Sequence, residues 1–199
     1  MIEVEKKFIV EEKDLCKIKQ MAVFVKKKSF TDTYFDTDDY RLTLKNIWLR
    51  KRDLRFELKV GIKEKRASID QYLEIDNEEE IASRLSIPHT PSLSQSLHAS
   101  GYFPFCTFST TRETYRLNDL TIDLDTADFG DMTYRVMECE QMVEHLEDIP
   151  LAEKKIQLFL QEHNIQSTKP ALGKIAVYLE KNRKDHYRVL VNAGVLRER

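Results

Sequence analysis

The stretch IEVEKKF, residues 2–8, decides the fold. In a strand, successive side chains point to opposite faces, so Glu3, Glu5 and Lys7 share one face and Ile2, Val4 and Phe8 the other. One charged face is ordinary if it is wet. It becomes informative when other strands repeat it, and they do. Residues 46–52 (NIWLRKR) put Trp48, Arg50 and Arg52 on one face. Residues 54–60 put Glu57 and Lys59 together, with Phe56, Leu58 and Val60 opposite, and the short interval around Asp53 predicts a hairpin joining the two. Residues 69–76 turn Tyr72 and Glu74 one way. Residues 120–126 set Thr121, Asp123 and Asp125 against Ile122 and Leu124. Residues 133–143 set Glu138 and Glu140 against Met137, Cys139 and Gln141.

Between these strands the chain supplies helices. Residues 11–21 begin with acids and end with lysines, the order a helix dipole prefers. Lys26, Lys27 and Lys28 read as a solvated turn before a strand at 30–36. Pro88 and Pro91 divide residues 77–100 into two short helices, with Ser92 as the cap of the second. A strand at 105–117 carries Arg112, and a tight connection lies around Gly130. After Pro150 the pattern is helical over 151–163, 173–181 and 185–196, the last placed to close one end of whatever the strands enclose. Seven or eight antiparallel strands flanked by helices predict an α+β fold on a barrel-like sheet, in one domain spanning 1–199.

Composition bounds the partners. Charged residues make up 33% of the 199, above the average of about 25%. Yet the net charge is −2, which argues against a general nucleic-acid binder while leaving room for a local basic pocket. Cys16, Cys106 and Cys139 have no metal-type spacing and read as reduced, buried thiols of a cytosolic protein. His89, His98, His145, His163 and His186 are scattered and read as surface residues. No apolar run approaches the roughly 18 residues of a membrane span, and charges stand where a signal peptide would be apolar. The expectation is a soluble, cytoplasmic monomer without an exposed apolar stripe.

The aligned charged faces hold the acids Glu3, Glu5, Glu57, Glu74, Asp123, Asp125, Glu138 and Glu140 and the bases Lys7, Arg50, Arg52, Lys59 and Arg112. Two architectures accommodate this. In one, an open sheet has one packed side and one wet side. In the other, the apolar faces lie outside under the helices and the charged faces line a tunnel. Carboxylates facing Arg and Lys in a lumen suit a polyphosphate carried by a hard divalent cation such as Mg²⁺. With only five glycines and no glycine-rich loop, phosphate recognition falls to side chains.

Glu3-x-Glu5-x-Lys7 resembles the signature of the CYTH superfamily, the triphosphate tunnel metalloenzymes. DTYFDT at 32–37, IWLRKR, FELK at 56–59, LTIDLDTADFG at 120–130, Glu138-x-Glu140 and KIAVYL at 174–179 extend the resemblance over nearly the whole chain. Within the superfamily the chain looks like the branch that hydrolyses thiamine triphosphate. The resemblance implies an eight-stranded antiparallel barrel forming a triphosphate tunnel. It implies metal ligation by Glu3, Glu5, Asp123, Glu138 and Glu140, with Mg²⁺ as the cofactor. It implies substrate binding by Lys7, Arg50, Arg52, Lys59, Arg112 and Lys174, with Trp48 packed on the thiamine rings and Glu74 engaging Lys59.

The implied reaction is Mg²⁺-dependent hydrolysis of thiamine triphosphate to thiamine diphosphate and phosphate. Rival readings are a hydrolase of inorganic or nucleoside triphosphates, a cyclase of the same fold, and a polyphosphate-binding module without turnover. The catalytic candidates are Lys59 and Glu74. Crowding by Arg50, Arg52 and Lys7 would lower the pKa of Lys59 and make it a base for water, while Glu74 pulls the other way. The alternative for Lys59 is a plain phosphate ligand.

Overall fold

A sheet of such strands turns its charged side inward and its apolar side under the helices if it closes on itself. In the computed structural model, which describes residues 1–9, 11–62, 69–89, 91–165 and 171–197, it does. The strands are β1 (Ile2–Phe8), β2 (Val23–Asp36), β3 (Ile47–Arg52), β4 (Arg55–Gly61), β5 (Asp70–Ile75), β6 (Phe103–Leu117), β7 (Leu120–Asp128) and β8 (Thr133–Val143). All pairs are antiparallel, and the ring runs β1-β5-β4-β3-β2-β6-β7-β8 and back to β1. Of the two architectures, the charged-lumen barrel is the one formed.

The helices are α1 (Glu12–Met21), α2 (Glu78–Leu85), α3 (Leu93–Ala99), α4 (Ile149–Glu162), α5 (Lys174–Asn182) and α6 (Lys184–Asn192). Their caps follow local chemistry. Ser92 Oγ accepts from Gln95 N at 3.3 Å, and Asn77 Oδ1 accepts from Glu80 N at 2.9 Å. Pro150 sits in the first turn of α4, where its missing N–H costs nothing. The hairpin at Asp53 turns through a left-handed residue, and Asp53 Oδ1 accepts from Thr31 N at 2.9 Å, tying the turn to β2.

The apolar faces point outward, as the charged-lumen reading requires. Ile2, Val4, Phe8, Ile122, Met137 and Cys139 pack with Ile18 of α1 and Ile156 and Phe159 of α4. Leu49, Phe56, Leu58 and Ile75 pack with Ile81 of α2 and Leu93 and Leu97 of α3. Truncating a fully buried member such as Leu49 or Leu58 to Ala costs about 2–5 kcal/mol.

Three expectations are corrected. Lys26–Lys28 form no turn: they continue β2, paired with Thr114, Glu113 and Arg112 of β6. Backbone pairing along so long a partner strand outweighs the local preference of a lysine run for a turn. At the end of the barrel the last helix is joined by the one before it. Helix α5 packs Ile175, Val177 and Tyr178 onto inward-facing Tyr34, Phe108, Tyr134 and Val136, and Leu190 of α6 joins Leu179 behind Trp48. Cys16 is exposed on α1, whereas Cys106 and Cys139 are buried. An exposed apolar run does exist, Val23–Phe24–Val25 at the start of β2. Among the described residues, no helix is long and apolar enough to cross a membrane.

Candidate active site

A cavity of ≈ 1790 Å³ occupies the barrel. Every residue expected in the site lines it except Asp123. Strand alternation explains the convergence: one face of each strand looks inward, and ring closure turns those faces toward one another.

One part of the wall is carboxylate. Glu3, Glu5 and Glu140 each offer an oxygen within 4.8 Å of the others. Glu5 and Glu140 are cross-strand neighbours on β1 and β8. Burial and the charge of Glu3 push Glu5 up to about 7. Burial, Glu3 and Asp123 push Glu140 well above the usual carboxylate range. Burial also acts to raise Glu3, but the charge of Lys59 and its hydrogen bond outweigh it, so Glu3 is lowered. The cations beside this triad are shared out: Lys7 contacts Glu5 and, at 3.1 Å, Asp70, while Lys59 contacts Glu3 and, at 3.0 Å, Glu74. Glu140 has no ion pair among the described residues. Three crowded carboxylate oxygens with too little positive charge are the donor set of a hard divalent cation, so the residues fit Mg²⁺.

Asp123 and Glu138, expected in the same metal set, belong to a second cluster with Asp125. Arg112 reaches all three: Nε to Asp125 Oδ1 at 2.6 Å, Nη2 to Asp125 Oδ2 at 2.6 Å and to Glu138 Oε2 at 2.7 Å, and Nη1 to Asp123. Lys174 adds contacts to Asp125 and, at 2.9 Å, to Glu138. Thr114 Oγ1 donates to Asp123 Oδ1 at 2.6 Å. Against burial, Lys174 and Arg112 hold Glu138 well below the usual range. Lys174 is the first residue of α5, where the helix dipole disfavours a cation; Asp125 and Glu138 offset that.

The facing wall is basic. Arg52 forks onto Asp32 at 2.8 and 2.9 Å, and Arg50 onto Glu57 at 2.8 and 2.5 Å. Asp32 is fully buried, and sequence reasoning missed it. Its signal was present: alternation in FTDTYFD places Asp32 on the face of Tyr34, across from Arg50 and Arg52. Lys59 is paired with Glu74 as expected. Its proposed loss of a proton is not supported. Burial lowers the pKa of the ammonium, but Glu3, Glu5 and Glu74 raise it more than Arg50 lowers it, and the net shift is upward.

The third region is aromatic. Trp48 and Tyr72 line the cavity near Ile175 and Leu196, with Trp48 only 7% exposed. Trp48 Nε1 donates to Asn46 Oδ1 at 2.9 Å. Behind it lies a histidine that is not at the surface. His186 is buried, stacked on Tyr40 with centroids 3.8 Å apart, and 2.8 Å from Thr43 Oγ1. Thr43 Oγ1 donates to Asp36, so His186 is the donor to Thr43. Nothing in the spacing of the five histidines distinguishes it, because burial here comes from docking of α6.

The CYTH domain family matches residues 1–171. The chain is 29% identical to the thiamine-triphosphatase of Homo sapiens over 217 residues, covering 100% of this chain and 93% of that protein. It is 28% identical to that of Macaca fascicularis over the same span. Among solved structures, the PH1819 protein of Pyrococcus horikoshii OT3 aligns at a TM-score of 0.65 and 21% identity, covering 90% of this chain and 99% of that one. The putative adenylyl cyclase HpAC1 of Hippeastrum, described as having a dominant triphosphatase activity, aligns at 0.56 and 18%, covering 90% and 95%.

Proposed function

The chain belongs to the CYTH domain family, and from that premise we propose that it hydrolyses thiamine triphosphate to thiamine diphosphate and phosphate, with Mg²⁺ as cofactor. The observation that carries the reading is the opposition, across one cavity, of a carboxylate triad short of positive charge and two guanidinium forks. A triphosphate with a divalent cation complements both walls at once. The thiamine portion of the reading draws on the full-length similarity to the thiamine-triphosphatases and on the aromatic end formed by Trp48 and Tyr72.

Glu3, Glu5 and Glu140 would hold the Mg²⁺. When bound, the ion neutralises charge on the triphosphate and lowers the pKa of its waters. Arg50 and Arg52 are held by Glu57 and Asp32 in one orientation, so their remaining N–H groups meet phosphate oxygens with little reorganisation. Lys7, Arg112 and Lys174 add positive charge along the same cavity. Lys59, kept charged by Glu3 and Glu5 and steadied by Glu74, neutralises a phosphate oxygen rather than accepting a proton from water. Trp48 offers an indole to the cationic thiazolium, an interaction worth about 0.5–2 kcal/mol.

A second reading, hydrolysis of inorganic triphosphate, is favoured by one feature: Trp48 is packed among Leu179 and Leu190, with little of the ring free. The test is phosphate release from purified protein with Mg²⁺, comparing thiamine triphosphate, inorganic triphosphate and ATP, with EDTA as control. Preference for thiamine triphosphate is expected. Preference for inorganic triphosphate would keep the tunnel and remove the thiamine assignment. Binding without release from any of the three would replace the enzyme by a binding module.

A further inference from the structure

The indole of Trp48 is held by a device that neither strand alternation nor the charged lumen requires. Asn46 closes the short 3-10 turn Thr43–Lys45 in the left-handed conformation, with φ 57° and its N–H on Thr43 O at 3.0 Å. Few residues with a side chain tolerate that conformation; Asn and Asp do. From there Asn46 Oδ1 takes the Trp48 Nε1–H at 2.9 Å. The Asn46 amide lies directly against Gly61 at the end of β4: a Cβ built on Gly61 would stand 2.0 Å from Asn46 Nδ2 and 2.7 Å from Cγ. Gly61 N donates to Asn46 O at 3.0 Å, so the close approach is fixed on both sides. Gly61 has no Cβ because the amide occupies its place.

We propose that Asn46, seated on Gly61, is a positioning residue that fixes the plane of the Trp48 indole at the aromatic end of the tunnel and so sets preference for a substrate bearing a ring. The inference rests on the reading of Trp48 as the surface that receives the thiazolium. Asn rather than Gly stands at 46 because the turn needs a left-handed residue and the indole needs an acceptor. A glycine satisfies the first demand and fails the second.

That difference supplies the variant. Asn46→Gly keeps the backbone conformation unstrained and removes the acceptor together with the amide's contact on Gly61; Asn46→Asp restores both a side chain of that shape and an acceptor; Gly61→Ala displaces the amide while leaving Asn46 in place. For Asn46→Gly and Gly61→Ala, KM for thiamine triphosphate rises about 5–10-fold, the loss of roughly one hydrogen bond's worth of orientation. KM for inorganic triphosphate, which has no ring, stays within twofold. Asn46→Asp returns KM for thiamine triphosphate toward the parent value. Trp48 is the only tryptophan, so its fluorescence anisotropy reports the indole directly, without substrate. It falls in Asn46→Gly and recovers in Asn46→Asp. Unchanged anisotropy in Asn46→Gly, or equal KM changes for both substrates, overturns the inference. Trp48→Ala separates the two failures. If it does not distinguish the substrates, the ring reading falls and takes this inference with it. If it does and Asn46→Gly does not, this inference alone falls.

Discussion

The barrel holds two clusters of three carboxylates, all buried but the half-buried Glu140, and they are not alike. In Asp123, Asp125 and Glu138 every acid is touched by Arg112, and Lys174 reaches two of them. In Glu3, Glu5 and Glu140 the neighbouring lysines are divided with Asp70 and Glu74, and Glu140 has no ion pair among the described residues. The first cluster is complete as folded. The second has less positive charge against it and keeps oxygens grouped within 4.8 Å, the set to which the proposed reading assigns a divalent cation. Carboxylates of equal number are therefore placed differently: one group braces a wall, the other is the candidate cation site. The residue type does not tell them apart; the placement of one guanidinium does.

The largest effect should come from breaking the satisfied cluster. Arg112→Met leaves three buried acids with Lys174 as their one remaining direct cation, and an uncompensated buried charge costs about 3–5 kcal/mol. Urea denaturation at neutral pH reads that loss. If Arg112→Met is no less stable than the parent, the clusters do not differ in the way described.

The matching change in the other cluster should run the opposite way. Glu140→Gln replaces a carboxyl whose charged form is disfavoured by burial, Glu3 and Asp123, so stability without Mg²⁺ holds or rises. Phosphate release falls about 10²–10³-fold, or ~2.7–4 kcal/mol, the size expected when a group that stabilises developing charge is lost. The contrast is broken if Glu140→Gln destabilises as Arg112→Met does, or if its activity survives at ordinary Mg²⁺ concentrations.

Much of this was legible beforehand, for a physical reason. Period-2 alternation survives folding, so β1, β3, β4, β7 and β8 could be aligned face by face, and the inward residues fell out of that alignment. What could not be read was register around the ring. Asp123 and Glu138 share a face with Glu140 in sequence terms, but the direct pairing of β7 with β6 sets Asp125 opposite Arg112, and Asp123 opposite Thr114. Those pairings, with Glu138 opposite Asp123 on β8, bring two of the residues expected as metal ligands within reach of Arg112. Tertiary docking hid the rest. Burial of His186 depends on α6 and the loop carrying Tyr40, and the strand through Lys26–Lys28 depends on β6 as its partner.

His186 supplies a titration outside both clusters, and it must be separated before pH effects are assigned to either. Burial lowers it from 6.5 to about 4, with Arg183 adding to the shift and Asp36 opposing it. Between those values the unfolded chain binds the proton and the folded chain does not. Stability is therefore retained above pH 6.5 and declines as pH falls toward 4. The loss is at most about 2 kcal/mol after allowance for solvent near the ring. His186→Gln should flatten this part of the stability–pH curve; a parent curve already flat between pH 6.5 and 4 would remove the assignment.

The smallest effect sharpens the comparison most economically. Arg135 meets Glu12 at 2.7 Å, the same distance at which Arg112 meets Glu138. The side chains of the outer pair are 61% and 75% exposed; those of the inner pair are 12% and 7% exposed. If distance set the energy, the two pairs would contribute alike. Water and salt screen the outer charges, and each side chain gives up rotamer freedom to meet the other, so Glu12→Gln should change stability by less than about 0.5 kcal/mol. Raising the salt concentration should shrink even that difference, while leaving the cost of Arg112→Met nearly unchanged, because charges so little exposed are screened much less than surface ones. A Glu12→Gln loss approaching that of Arg112→Met would mean that burial is not what separates the pairs, and the distinction between the two carboxylate clusters would lose its physical basis.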